Sequence, residues 1–179
     1  MNDFIEEVLL SNDEIVNISK KLGEQISKDY EGKKPLLVGL LKGSVPFMAE
    51  LMKHIDIDME IDFIKASSYS GTHSTGTVTI TRDTTTNMEG RHVLLVEDIV
   101  DTGLTLREVK NLLKDRGALS IKIVTLLDKP SSRPEGTVIP DYVGAIVPAK
   151  FVVGFGLDYN ELYRNLPYVG VLKRTVYEK

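Results

Sequence analysis

The sequence predicts an α/β fold, a mostly parallel twisted sheet flanked by helices with a small hood lobe. Short apolar runs alternate with amphipathic helical patterns, which implies strands joined by helical crossovers. One apolar run, Val93 to Val96, is followed at once by acidic and hydroxyl-rich residues, as at the ligand-binding end of an open α/β sheet. The last third is poor in helix patterns but carries further strand-like runs, which predicts the extra lobe.

Each element has its own justification. Ser11 and Glu14 make a capping box, and Ile15, Ile18, Leu22 and Ile26 then recur on one helical face. Leu36 to Leu40 is a short apolar strand. Lys42, Gly43 and Ser44 form the loop after it, and Pro46 at an early helical position starts a helix running to about Lys53. Ile57, Met59, Ile61 and Phe63 alternate with Asp58, Glu60 and Asp62, a half-exposed strand pattern. Val78 and Ile80 mark another strand beyond a Ser-, Thr- and Gly-rich interval spanning residues 66–76.

Val93 to Val96 read as a buried strand of a parallel sheet, with Glu97 and Asp98 where that strand would end. A helix beginning near Leu106 carries Leu106, Val109, Leu112 and Leu113 on one face and stops at Gly117. Strands recur at Ile121 to Leu127, Tyr142 to Val147, Phe151 to Val153 and Tyr168 to Leu172. Right-handed crossovers then give a sheet covered on both faces. No repeat, low-complexity tract or linker divides residues 1–179, so one domain is expected.

The chemistry concentrates in Leu94 to Leu106, LLVEDIVDTGLTL. In Asp101-Thr102-Gly103-Leu104-Thr105 the glycine permits a tight turn, the threonines offer hydroxyl donors, and the following helix start offers free N–H groups to an anion. The carboxylates of Glu97 and Asp98 repel phosphate, so they suit ribose hydroxyls or a Mg²⁺ that in turn holds a diphosphate. Competing phosphate motifs are absent: there is no G-x-x-x-x-G-K-[ST], and Gly154-Phe155-Gly156 lacks a third glycine and a following amphipathic helix.

Composition narrows the function classes. The chain has 179 residues, 42% hydrophobic and 27% charged, enough for a sizeable core. A formal charge of −4 gives no global attraction to nucleic acid or an acidic membrane surface. Without cysteine there is no disulfide framework, thiol nucleophile or zinc thiolate site. No apolar run approaches the roughly 18 residues of a membrane span, and the acidic start MNDFIEEVLL does not suit a signal peptide, so a cytoplasmic location is expected. His54, His73 and His92 lack ligand spacing.

The Leu94 to Leu106 block resembles the 5-phosphoribosyl-1-diphosphate (PRPP) signature of type I phosphoribosyltransferases. The resemblance extends across nearly the whole chain to the hypoxanthine-guanine phosphoribosyltransferases. It implies that Glu97, Asp98, Asp101, Thr102, Gly103, Leu104 and Thr105 bind PRPP and its 5′-phosphate. Some members carry a lysine where Leu104 stands, so the loop here relies on N–H and hydroxyl donors. Leu41-Lys42-Gly43 is similar to the family's diphosphate loop, which contains a non-proline cis peptide; Lys42, Gly43 and Arg164 would bind diphosphate. Ser68-Tyr69 resembles the lid over the reaction centre. Lys129 resembles the lysine that donates to the purine's six-position oxygen, and Phe151 and Val152 the stacking ring and the backbone that reads the base edge. Asp158 resembles a carboxylate serving base edge and metal, with Glu97 and Asp98 completing the metal set.

The implied activity is Mg²⁺-dependent transfer of phosphoribosyl from PRPP to N9 of hypoxanthine or guanine, with Asp101 as proton acceptor aided by Lys129. The implied partners are PRPP and a six-oxo purine, not nucleic acid or membrane, and the implied assembly is a homodimer or homotetramer. The alternatives are a PRPP- or nucleotide-sensing RNA-binding regulator of the same fold and a transferase preferring xanthine or another base.

Overall fold

The computed structural model describes residues 3–68 and 78–178. Its main sheet has six strands in the order β4-β3-β2-β5-β6-β7. These are β2 (Leu36–Leu40), β3 (Glu60–Ser68), β4 (Val78–Arg82), β5 (His92–Val100), β6 (Ser120–Asp128) and β7 (Tyr142–Ile146). All neighbours pair in parallel except β3 with β4, an antiparallel edge. A second sheet of three strands, β1 (Ile5–Leu10), β9 (Val169–Leu172) and β8 (Val152–Val153), forms the expected small lobe.

The buried central strands explain why the apolar runs are continuous rather than alternating. Leu37, Leu94, Val96 and Val124 turn to one face, against Ile15, Leu22 and Ile26 of helix α1 (Asn12–Asp29) and Phe47, Met48 and Leu51 of helix α2 (Ser44–Met52). Leu36, Val38, Val93, Leu95 and Ile123 turn to the other, against Leu106, Val109 and Leu113 of helix α3 (Leu104–Asp115). Strand alternation therefore sends successive apolar residues into different cores. Each fully buried leucine contributes about 1.5–3 kcal/mol of transfer free energy.

The capping box at α1 forms as expected: Ser11 Oγ accepts from Glu14 N–H, and the Glu14 carboxylate accepts from Ser11 N–H at 2.8 Å. Three readings need correction. β5 does not end at Glu97; it continues through Asp98 and Ile99 to Val100 because β6 keeps pairing with it up to Val100↔Asp128. The strand expected from Ile57 begins only at Glu60, and Ile57 and Met59 pack on the first core as connecting chain. Within it, Ile61 is 45% exposed while Asp62 is only 9% exposed. Asp62 tolerates burial because its carboxylate accepts from Phe63, Thr85 and Thr86 N–H at 2.7, 2.8 and 2.8 Å. β1, absent from the sequence reading, is acidic on its open face and exists by pairing antiparallel with β9.

Candidate active site

The site is built where β2, β5 and β6 end, the position expected for ligands of a parallel sheet. Past Val100 the chain enters Asp101 and Thr102, and Gly103 caps α3 with φ 74°, a left-handed conformation that glycine adopts without strain. Among the described residues no side chain caps this helix, and its first turn holds no acid, so its N–H groups stay available to an anion. α3 begins at Leu104, two residues before the expected Leu106. Glu97, Ile99, Asp101, Thr102, Gly103 and Thr105 are among the residues lining a cleft of about 170 Å³ there. Leu104 is 43% exposed and not part of that lining.

A second cleft of about 160 Å³ adjoins the first, and Ile99 and Asp101 line both. Its other walls are Lys129, Lys150, Phe151, Val152 and Leu157. Lys129 Nζ lies 3.6 Å from Asp101 Oδ2. Asp101 Oδ1 is buried and finds no partner among the described residues, so one oxygen is left to accept from a ligand. Phe151 stands between this cleft and a neighbouring one; on that far side Tyr177, from the short terminal helix α4 (Arg174–Tyr177), stacks on it at 5.0 Å and 27°.

The diphosphate-loop residues meet the acidic pair. The Leu41–Lys42 peptide bond is cis. A Cβ on Gly43 would fall 1.8 Å from Asp98 Oδ2, so only glycine fits against that carboxylate. A Cβ on Gly156 would fall 1.9 Å from the Gly43 carbonyl oxygen, which brings the hood segment into the same junction.

Burial pushes the Asp98 carboxyl up to about 6; the Ile99 N–H and Arg164 pull it down, and Asp158 pushes it up. Glu97 is raised well above the ordinary range by burial and by the adjacent Asp98 charge. A hard divalent cation with its oxygen preference would restore the charged form of both, so the donor set fits Mg²⁺. The expected three-carboxylate set is not assembled, however. Among the described residues no three acidic or imidazole groups gather for a metal. Asp158 instead holds Arg164 Nη2 at 2.8 Å and accepts from Glu161 N–H at 2.8 Å. Two carboxylates with water and substrate oxygens suffice for Mg²⁺.

Arg164 and Lys42 are similarly engaged. Arg164 donates to the Gly156 carbonyl at 2.7 Å and to Glu161 at 3.1 Å, leaving its buried Nε without a partner among the described residues. Lys42 Nζ pairs with the other Glu161 oxygen at 2.5 Å. Of the lid residues, Ser68 ends β3 and Tyr69 lies outside the described residues.

The family model for a phosphoribosyl transferase domain matches residues 7–160. The chain belongs to that family. A hypoxanthine-guanine phosphoribosyltransferase of Streptococcus pneumoniae is 57% identical over 177 residues, covering 97% of this chain and 96% of the relative. Among solved structures, a hypoxanthine phosphoribosyltransferase from Staphylococcus aureus superposes with a TM-score of 0.95 at 50% identity, covering 99% of this chain and 96% of that one. The Trypanosoma cruzi enzyme in complex with the product IMP gives 0.92 at 40% identity, covering 99% of each. The chain is thus an enzyme, a glycosyltransferase of the type I phosphoribosyltransferase fold.

Sequence reasoning did not single out Ile99, Lys150, Leu157 or Glu161. For Lys150 and Glu161 the available signal was position: one precedes the stacking ring, the other is three residues from both Asp158 and Arg164.

Proposed function

We propose that this enzyme transfers the phosphoribosyl group of PRPP to N9 of hypoxanthine or guanine, giving IMP or GMP and diphosphate, with Mg²⁺ bound, in purine salvage in the cytoplasm and as a homodimer or homotetramer. The observation that carries the reading is the position of Asp101: it is shared by a cleft beneath a bare helix N-terminus and a cleft walled by Lys129 and Phe151. A ribose 5-phosphate in the first and a purine in the second would meet at that residue.

Cleavage of the anomeric C–O bond passes through an oxocarbenium-like state, so stabilising separated charge is the main task. Glu97 and Asp98 would hold a Mg²⁺ ion, which would supply charge neutralisation to the departing diphosphate, and they orient the ribose hydroxyls. Thr102, Thr105 and the α3 N–H groups fix the 5′-phosphate, and fixing it converts the transfer into an effectively unimolecular step. Lys42 and Arg164 leave Glu161 to take the diphosphate. Asp101 accepts the purine's N7 proton or compensates the charge that appears there.

Lys129 sets base choice. An ammonium has donors only, so it satisfies a six-oxo purine and leaves a six-amino group facing an unmatched cation. Phe151 stacks on the ring and the Val152 backbone reads its edge, while Asp158 keeps Arg164 oriented for the diphosphate.

The test is product identity when the purified chain, PRPP and Mg²⁺ meet hypoxanthine, guanine, xanthine and adenine in turn. IMP and GMP from the first two, lost on adding EDTA, support the reading; no nucleotide from any base overturns it.

A further inference from the structure

The ends of β5 and β6 carry an ion pair that none of these roles uses. Asp128 closes β6, and Arg133 follows the single 3₁₀ turn Pro130–Ser132; both side chains are 10% exposed. The Arg133 Nη2 group donates to Asp128 Oδ1 and also to the Val100 carbonyl at 3.3 Å. That carbonyl accepts a second bond, from Lys129 N–H at 3.0 Å. Arg133 is itself anchored by the turn, its N–H bonding the Pro130 carbonyl at 3.1 Å. Its Nε is buried without a partner among the described residues.

Such a pair is poor value as a stabiliser, because desolvating two charges cancels most of their attraction and apolar residues often replace them without loss. Its location indicates another use. Val100 and Asp128 are register partners, the last pair where β5 and β6 run together. The next residue on one strand is Asp101 and on the other Lys129. Beyond the clamp the strands part, so the 3.6 Å approach of Lys129 Nζ to Asp101 Oδ2 depends on where those two residues leave the sheet.

We infer that Arg133 is a positioning residue: through Asp128 and the Val100 carbonyl it holds Asp101 and Lys129 at their working separation, and thereby sets both rate and the preference for six-oxo over six-amino purines. The inference rests on the base recognition proposed above. A guanidinium serves where an ammonium would not, because its planar fork has several donors in fixed directions. Arg133→Lys therefore keeps the charge and loses the geometry, whereas Arg133→Met keeps bulk and loses both.

Steady-state kinetics with hypoxanthine and adenine, beside thermal unfolding, test the clamp. Arg133→Met should lower kcat on hypoxanthine by about tenfold to a hundredfold, as misplacement of reacting groups does. It should leave KM for PRPP near that of the parent chain and shrink the hypoxanthine-to-adenine ratio; Arg133→Lys should fall between the two. Added to Lys129→Met, Arg133→Met should cost no further selectivity. An unchanged ratio with a lowered Tm in either Arg133 variant, or additive selectivity losses in the double variant, overturns the inference. If Lys129→Met alone leaves the ratio unaltered, base recognition by Lys129 falls instead. The clamp then stands or falls on Asp101: Arg133→Met must add no loss of kcat to Asp101→Asn, and an additive loss overturns it.

Discussion

The sheet ends and the hood treat their functional groups in opposite ways. At the end of β5, among the described residues, Asp101 keeps an oxygen unpaired and α3 begins without a side-chain cap, so binding capacity is left open. Where the hood meets the loop after β2, Arg164, Asp158 and Glu161 of the hood and Lys42 of that loop satisfy one another through pairs of 2.5 to 3.1 Å. The sheet can leave groups bare because its backbone is held by parallel ladders buried on both faces. The hood has no such support. Phe155, Asn160, Glu161 and Tyr163 all adopt positive φ, between 47° and 75°, sparsely populated conformations for residues with side chains. A rigid frame presents groups; a strained loop must first release them.

Breaking the rigid side at its chemistry should have the largest effect. Asp101→Asn keeps the shape of the residue and removes its charge, and kcat should fall by about 10²–10⁴ with little change in KM for PRPP. An unchanged kcat would remove Asp101 from the chemistry. Next comes the junction between the two regions. Gly43→Ala sets a methyl 1.8 Å from Asp98 Oδ2, so the diphosphate loop or the acidic pair must shift. We expect kcat/KM for PRPP to drop by about a hundredfold, against a small change in Tm; wild-type kinetics would mean that the contact is not functional.

Asp62 sharpens the comparison on stability alone, because it anchors β3 to the Thr85–Thr86 segment and lines neither cleft of the site. Burial raises its pKa, but the N–H groups of Thr86, Phe63 and Thr85 outweigh that and hold it below the ordinary 3.8. A carboxyl lowered in the folded state adds stability that is present above its unfolded pKa and is lost as pH falls through the folded value. Asp62→Asn should cost about 1–3 kcal/mol near neutrality. The variant should also lose less stability than the parent between pH 5 and 3, a window that brackets the 3.8 value. Parallel acid unfolding curves would contradict this.

The smallest effect is expected from the exposed hood pair. Glu161→Gln frees Lys42 and leaves Arg164 held by Asp158 and the Gly156 carbonyl; Glu161 is 61% exposed, so stability should not change measurably. KM for PRPP should fall by about twofold to fivefold, since a smaller fraction of molecules holds Lys42 away from diphosphate. A rise in KM would mean that Glu161 helps to place it.

What was legible in the sequence follows the same division. The β2 and β6 runs, the buried heart of β5, the α1 capping box and the glycine turn at Gly103 read correctly because strand burial, capping and turn chemistry are local, whereas the end of β5 and the start of α3 did not. Alternation from Ile57 to Phe63 misled, since nothing local announces that Asp62 will find Thr85 and Thr86. β1 was invisible for a similar reason, as its partner β9 lies at the other end of the chain.

By itself the sequence determined the class of fold, the order of most elements, and which residue types stand ready for a sugar phosphate and a base. These depend on periodicity and on neighbours a few positions apart. Only the tertiary structure decided that Lys42 faces Glu161 across 119 positions and that Asp98 leaves room for no side chain at Gly43. It also decided that Arg133 ties together the two strands that deliver Asp101 and Lys129. The physical reason is that a charge or a Cβ acts on whatever lies within a few ångströms, and chain separation does not enter that distance.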